Sequence, residues 1–326
     1  MGAAMKTMIR QLSAGDEVVD FFVCARKAVK VDRRGNTYLD LRLSDASGQI
    51  PAKKWDAAPA DIEAFGAHDV IKVKAVVTSD NYGMQLRLEK IRMAKPEDDV
   101  DLASLLPASS RSLVEMEAEL NEIRAAVENP SMTALLDGIF ADEAMYRAFC
   151  ESPAAKGFHH NYIHGLLEHS ISVSRVASAI AGQYGADVNR DLLLTGAILH
   201  DIGKTAEFEY EAVIDYSDSG RLLGHIVLGE QIVAAALERL ESFPEEIALQ
   251  LQHLILSHHG EREFGSPVRP KTLEAFILHH ADDIDAKANV FQRLREEKAE
   301  TGEAWSEYNR VLERFLYLKK AEAETE

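Results

Sequence analysis

The hydrophobic period of this chain changes once, near residue 96, and that change limits the fold more than any other feature. Between about residues 16 and 93, apolar and polar residues alternate with period two, the pattern of strands with one buried face. Val18 to Val23, Tyr38 to Leu43, Val70 to Val77 and Met84 to Ile91 all read this way. Turn residues separate them at Arg34-Gly35-Asn36, Asp45-Ala46-Ser47-Gly48 and Asp80-Asn81-Tyr82-Gly83. Beyond Pro96 the texture is acidic and turn-rich, and then Ser112-Leu113-Val114-Glu115 resembles a capping box that opens a helix. From there to the end the periods are helical and no strand signal returns.

About five short strands in roughly 80 residues suit a small closed barrel, of which the OB-fold is the commonest. The expected fold class is therefore two domains, a small all-β OB-fold barrel followed by an all-α region. The expected bounds are 1–96 for the barrel, 97–111 for a linker and 112–326 for the helices. The helical part should close with a C-terminal helix carrying Trp305, Tyr308, Leu312, Phe315 and Leu316 on one face. That face can pack on its own domain or on a second subunit, so a homo-oligomer stays open.

Charge follows the same division. Residues 1–96 hold 16 Lys and Arg against 12 Asp and Glu, and the remainder holds 20 against 42. The net charge of −18 argues against a nucleic-acid partner for the chain as a whole, but not for its mildly basic first part. Cys24 and Cys150 are the only cysteines, far apart and without metal spacing. A disulfide framework is excluded, and a reduced, cytoplasmic setting is expected. The first residues lack a signal-peptide pattern, and no apolar run reaches the ~18–20 residues of a membrane span, so no membrane is expected either. With 12 histidines and 2 cysteines, a metal site would be built from imidazole and carboxylate.

Five segments place such groups in apolar surroundings. On a helix, His169 falls in one stripe with Leu166, Val173, Val176 and Ile180, and so points inward. Alone it reads more readily as a satisfied core histidine than as a ligand. His200-Asp201 ends an apolar run from Leu192 to Leu199. The two can share an ion only if the helix stops or bends there, and Gly203 is expected to supply that end. The bland reading is a cap histidine beside a solvated aspartate. His225 follows Gly224, His258-His259 closes the run Ile247 to Leu256, and His279-His280-Ala281-Asp282-Asp283-Ile284-Asp285 lies on a later helix. Unpaired carboxylates among apolar residues are costly to bury, and a cation would resolve that cost. Nitrogen and oxygen ligands without cysteine suit Mn²⁺, Fe²⁺, Co²⁺, Ni²⁺ or Mg²⁺ more than structural zinc. More than four candidate ligands imply two ions, ~3.5–4 Å apart.

His169, then His200-Asp201, then Asp282 match the H…HD…D signature of the HD phosphohydrolase superfamily, and His225 with His258-His259 resembles its binuclear branch. The chain is further similar, over roughly residues 6 to 318, to YhaM-type 3′-5′ exoribonucleases. Tyr38-Leu39-Asp40-Leu41, Lys54-Trp55-Asp56, Gly165 to His169, Gly220 to His225, Ser257-His258-His259-Gly260 and Asp282 to Lys287 carry that resemblance. His164 departs from it, standing where the family has glycine.

The resemblance implies an all-α HD domain that is a metal-dependent phosphohydrolase. One ion would be held by His169, His200, Asp201 and Asp282. A second would share Asp201 and add His225, His258 and His259. Manganese is the first choice, with iron, cobalt, nickel or magnesium as alternatives. Asp282 is favoured over Asp283 and Asp285 as ligand by the family pattern alone. Asp201 and Lys204 are the catalytic expectation, Lys204 neutralising charge in the transition state or, more blandly, capping helix carbonyls. The implied reaction is 3′-5′ cleavage of single-stranded RNA to nucleoside 5′-monophosphates, with single-stranded DNA as an open second substrate.

On the barrel, Phe22, Tyr38, Trp55 and Tyr82 are candidates for base stacking, and Arg42, Lys53, Lys54, Lys72, Lys74 and Arg87 for phosphates. Any one of the aromatics can instead be barrel core. Arg269 and Lys271, near the histidine pair, either meet substrate phosphate or are solvated. Two other readings compete: an HD-type phosphodiesterase of small nucleotides, and a non-enzymatic single-strand-binding protein with a structural HD domain. The barrel speaks against the first and the intact ligand set against the second.

Overall fold

The computed structural model describes residues 8–32, 34–80, 83–95, 97–98, 100, 104–156, 160–210, 214–298, 303–309 and 312–319. The chain divides into two compact units, residues 1–108 with 209–215, and residues 109–208 with 216–326.

The first unit is built on five strands: β1 (Glu17–Val31), β2 (Thr37–Asp45), β3 (Gly48–Lys54), β4 (Val70–Asp80) and β5 (Gly83–Met93). They close into a barrel in the order β1-β2-β3-β5-β4, with β3 and β5 parallel and the other neighbours antiparallel. A short helix, α1 (Pro59–Glu63), lies between β3 and β4. This is the OB-fold. β1 is long because it serves two neighbours: residues 17–23 pair with β4 and residues 23–31 with β2. A bulge between Cys24 and Arg26 marks the transfer and bends the strand. The inward set, including Phe22, Leu39, Leu41, Leu43, Ile71, Val73 and Leu86, is almost wholly buried, as the alternation requires.

The second unit holds α2 (Leu113–Ala125), α3 (Pro130–Phe140), α4 (Glu143–Glu151), α5 (Gly165–Tyr184), α6 (Arg190–Leu199), α7 (Lys204–Glu207), α8 (Asp218–Glu238), α9 (Glu245–Ser257) and α10 (Leu273–Lys298). Ser112 caps α2 by accepting from the Glu115 amide, as its sequence suggests. A small ribbon, β6 (Phe208–Glu209) with β7 (Asp215–Tyr216), interrupts the helices, so the region is not purely helical. One core, centred on α5, α6, α9 and α10, joins them. α8 has the length and mean hydropathy of a membrane span, 1.2, but carries Arg221 and Glu230 and packs on α7 and α9.

Two expectations differ from the structure. Residues 97–111 are not simply a solvated linker, since Leu105 and Leu106 are 1% and 7% exposed. The last segment is not a helix either. Trp305 pairs with Tyr317 and Asn309 with Arg314 as antiparallel bridges. Leu312, Leu316 and Leu318 are buried beside Val290, while Phe315 and Tyr317 face outward. Phe315 to Leu318 therefore alternates out and in. The helical spacing of the five apolar positions coincides with a folded-back hairpin, which short apolar runs cannot distinguish.

Candidate metal centre

The centre is assembled from the ends and breaks of helices. α5 delivers His169 from its buried stripe, between the fully buried Leu166 and Val173. His164, before the helix, has φ +69°, a left-handed conformation that costs a non-glycine residue. This explains physically why glycine suits that position. α6 buries every residue from Leu192 to Leu199 and stops there, so His200 and Asp201 lie on the turn that follows. Gly203 does not end the helix by a left-handed cap, since its φ is −63°. Its role is close approach: a Cβ there would meet the His225 carbonyl oxygen at 2.0 Å and the Gly229 nitrogen at 2.4 Å. α7 and α8 can touch only because no side chain stands between them.

α8 breaks at Gly224, whose φ of 74° is open to glycine. The break frees the amide of His225, and the buried Glu207 carboxylate takes it at 3.0 Å. The same oxygen holds His225 Nδ1 at 3.1 Å. One buried carboxylate thus caps the second half of α8 and fixes the imidazole. α9 ends into His258 and His259, and Gly260 lies against His279, whose Nδ1 bonds the His258 carbonyl at 2.9 Å. α10 presents Asp282 and Asp285 inward, while Asp283 is partly exposed and paired with Lys287 at 2.6 Å.

These elements bring two groups of ligand atoms together. In the first, His169 Nε2 lies 3.1 Å from Asp282 Oδ1, 3.2 Å from His200 Nε2 and 3.4 Å from Asp201 Oδ2. In the second, Asp201 Oδ1 lies 3.5 Å from both His225 Nε2 and His258 Nε2, and His259 joins the same cluster. Asp201 belongs to both through its two oxygens. Ligands at ~2.1 Å from one ion stand about 3.0–3.4 Å apart in octahedral or tetrahedral arrangement, and the observed spacings are close to this range.

The hydrogen-bond pattern supplies the test of fit. Each imidazole is held at Nδ1: His169 by Asp285 (2.7 Å), His200 by the Ala197 carbonyl (2.8 Å), His225 by Glu207 (3.1 Å), His258 by the Ile255 carbonyl (2.7 Å) and His259 by the Phe264 carbonyl (2.8 Å). An acceptor at Nδ1 places the hydrogen there and turns the Nε2 lone pair to the centre, as metal-binding histidines require. Asp201 Oδ1, His225 Nε2 and His258 Nε2 are buried, converge, and have no hydrogen-bond partner. Leaving such atoms unsatisfied is costly, and a cation between them removes the cost. The residues fit divalent metal.

Protonation agrees. Burial would lower the His169 imidazole, but Asp201, Asp282 and Asp285 outweigh it and raise it well above its ordinary value. These carboxylates call for a positive charge at that point. Burial pushes His258 down, and pushes His259 down to about 4 with help from His258, so both are neutral donors near pH 7. Burial would raise Asp201, but Lys204 and His200 hold it well below the usual carboxylate range. The Lys204 ammonium lies 2.5 Å from Asp201 Oδ2 and is itself 5% exposed.

Sequence reasoning missed the residues behind the ligands. Asp285, weighed as a ligand, instead braces His169 from the far side and also takes His160 Nε2 at 3.0 Å and the Ser172 hydroxyl. His160 Nδ1 meets the Tyr162 hydroxyl at 2.7 Å, and Tyr162 and Ser109 both donate to Glu168, at 3.0 and 2.6 Å. The Glu207 brace gave no signal of its own, since its partner is 18 residues away. His160 is the exception: with His159 it stands just before α5 in the sequence and reads equally as lining the site or as structural, and the structure gives it the structural place, while His159 lies outside the described residues.

The barrel candidates separate. Phe22 is 0% exposed and is core, not a stacking platform: it stands on the inward register of β1. Tyr38 and Trp55 stack on each other with centroids 4.6 Å apart, on the outward side of β2 and at the end of β3, with Trp55 42% exposed. Lys53 lies 5.8 Å from the Trp55 ring. Lys54 bonds the Trp55 carbonyl at 3.4 Å, and Arg42 is exposed on the outward side of β2. Tyr82 lies outside the described residues. Arg269 is in an exposed pair with Glu261 at 2.7 Å, outside both ligand groups.

Comparison with known proteins agrees with this architecture. Residues 166–287 match the HD domain, from the start of the His169 helix to just past Asp285. A 3′-5′ exoribonuclease YhaM from Geobacillus sp. (strain WCH70) is 35% identical over 288 residues, 88% of this chain and 87% of the relative. Its counterpart from Bacillus velezensis is 35% identical over 282 residues, 86% of this chain and 88% of the relative. Among solved structures, the second OB-fold domain of replication protein A from Methanococcus maripaludis is 17% identical, with a TM-score of 0.23, covering 30% of this chain and 100% of that domain. With two relatives matched along most of their length, the chain belongs to the YhaM 3′-5′ exoribonuclease family.

Proposed function

We propose that the chain degrades single-stranded RNA from its 3′ end to nucleoside 5′-monophosphates, with single-stranded DNA as a further substrate, using two divalent ions of which manganese is the first choice. The observation that carries this reading is the pair of ligand groups that meet at Asp201, Oδ2 beside His169 and His200 and Oδ1 beside His225 and His258, with three buried unpartnered atoms in the second. Ions bound there would supply Lewis acidity to the phosphoryl group and to the attacking water.

The chain's own residues do the rest. Asp201 divides its two oxygens between the groups, so one carboxylate would offer a ligand to each ion. The Nδ1 bonds fix five imidazoles before anything binds, which removes reorganisation at the moment of reaction. Lys204 keeps Asp201 ionised and places a positive charge beside the site of phosphoryl transfer. Tyr38 and Trp55 offer a stacking surface for bases on the β2–β3 side, the side from which OB barrels bind single strands, with Lys53 and Arg42 for phosphates.

A cytoplasmic location is part of the same reading. It rests on two buried free cysteines, Cys24 and Cys150, whose thiols burial pushes up to about 11 and about 12. Self-association is a further part, resting on the exposed Trp305, Tyr308, Phe315 and Tyr317. The test of the activity is a time course on RNA labelled at one end or the other, with Mn²⁺. A 5′-labelled strand should shorten as a ladder while a 3′-labelled strand releases labelled mononucleotide at once. Internal cuts, or an untouched strand beside hydrolysis of small nucleotides, would overturn it.

A further inference from the structure

The outer face of the barrel formed by β1, β4 and β5 carries charge that the fold itself does not need. In register, Lys72 on β4 stands opposite Arg92 on β5, and Lys74 stands opposite Lys90. Like charges directly across a pair of strands are destabilising. Part of this is offset: Lys74 pairs with Glu89 at 2.9 Å and Arg92 with Asp98 at 2.6 Å. A bulge makes the first pairing reachable, since the register shift beside Lys74 leaves Glu89 as the extra residue. Lys72 and Lys90 make no close ion pair among those described: the acids they feel, Asp98 and Glu89, are held by Arg92 and Lys74. The groove of ≈480 Å³ between them is thus in cationic excess, lined by Lys54, Lys72, Lys74, Lys90 and Arg92 against Asp61 and Glu89.

The groove has an aromatic and aliphatic side as well. Across β1, Phe21 stands opposite Lys72 and Val19 opposite Lys74. The Lys72 ammonium lies 4.7 Å from the Phe21 ring centre, and Val19 is 60% exposed. Cations beside an aromatic face are the combination that holds a single strand by phosphate and base together. In the closed order β1-β2-β3-β5-β4, β4 lies across the barrel from the β2–β3 seam. The groove begins beside the Tyr38–Trp55 platform, where Lys54, next to Trp55, lines it with Asp61, and runs from there to Lys72 and Lys90.

We propose that the β1–β4–β5 face is a second RNA track. A strand that leaves the Tyr38–Trp55 side continues around the barrel and places backbone phosphates on Lys72 and Lys90. This rests on the strand-binding reading of the barrel and extends it. OB-folds cover about 4 to 16 nucleotides according to binding mode, so a short strand occupies one side and a long strand both.

The variant is Lys72→Glu with Lys90→Glu in the full chain. Each substitution replaces a like-charge cross-strand pair, against Arg92 and Lys74, with an opposite-charge pair, and a melting curve checks that the barrel still folds. Binding is measured in chelator, to prevent cleavage, with RNAs of about 5 and about 20 nucleotides at several salt concentrations. The longer RNA should bind about tenfold more weakly, and its log–log salt slope should flatten by about 1.4, two lost phosphate contacts at ~0.7 each. The shorter RNA should bind as before. Unchanged affinity and slope for the longer RNA would overturn the track while leaving the Tyr38–Trp55 platform intact. A wild-type protein that self-associates, and a variant that does not, with equal RNA affinity, would overturn it too and assign the face to the acidic half of a second copy. If neither RNA binds the wild type, and Trp55→Ala changes nothing, the strand-binding reading itself fails and the track falls with it.

Discussion

At the metal centre five imidazoles are each held at Nδ1 by a second group, and Nε2 of His225 and of His258 is buried with no hydrogen-bond partner. On the outward side of β2 and β3, Tyr38 and Trp55 stack on each other with Trp55 largely in solvent. The first region is over-determined because buried polar atoms are costly when unsatisfied. The second is under-determined because an exposed ring costs little wherever it points. Chemistry that tolerates no misplacement sits in the first, and recognition that must accept any base sits in the second.

Metal removal should give the largest difference between the two regions. Chelation should abolish turnover and leave RNA binding within about twofold, since phosphate and stacking contacts need no divalent ion. Turnover and fluorescence-anisotropy binding on one preparation check this, and parallel loss of both would merge the two regions into one. Next in size are the braces. Glu207→Gln and Asp285→Asn should each weaken metal binding about 10–100-fold, the usual effect of losing a partner behind a ligand. Metal titration followed by mass spectrometry reads this directly, and unchanged occupancy would show that the braces are dispensable.

Smaller effects belong to the barrel. Trp55→Ala should cost about 1–3 kcal/mol of RNA binding, seen as raised KM with kcat preserved. A fall in kcat at saturating RNA would place Trp55 in the chemistry instead. Phe22→Ala should behave differently from its neighbour in kind, destabilising the barrel by about 3–5 kcal/mol through a cavity, as denaturant melts would show. Arg269→Ala should do least. Its exposed pair with Glu261 is worth about 0–1 kcal/mol, and RNA turnover should stay within twofold.

The same contrast explains what could be read from the sequence. Alternation gave the strands, because one face of each is buried and the other is not. His169, His200-Asp201, His258-His259 and Asp282 were legible because polar residues in apolar runs demand a reason. Asp285 was visible only as one of three aspartates on α10, and its place behind His169 depends on packing between α5 and α10. Gly203 was visible as a glycine but its purpose was not, since contact with the His225 carbonyl is a tertiary fact. Phe22 and Tyr38 look alike as aromatic strand residues, and only register separates core from surface. The bridged stretches 304–309 and 314–318 carry apolar positions that fit a helical period as well as an alternating one, so the sequence alone does not separate the two.

The most direct test is Asp201→Asn in the full chain, assayed for RNA binding and RNA turnover in the same preparation. Asp201 is shared by both ligand groups and contacts Lys204, so its loss should lower turnover by on the order of 10³-fold or more. Affinity for single-stranded RNA should be unchanged. A variant that digests RNA at the wild-type rate would contradict the assignment of catalysis to this centre.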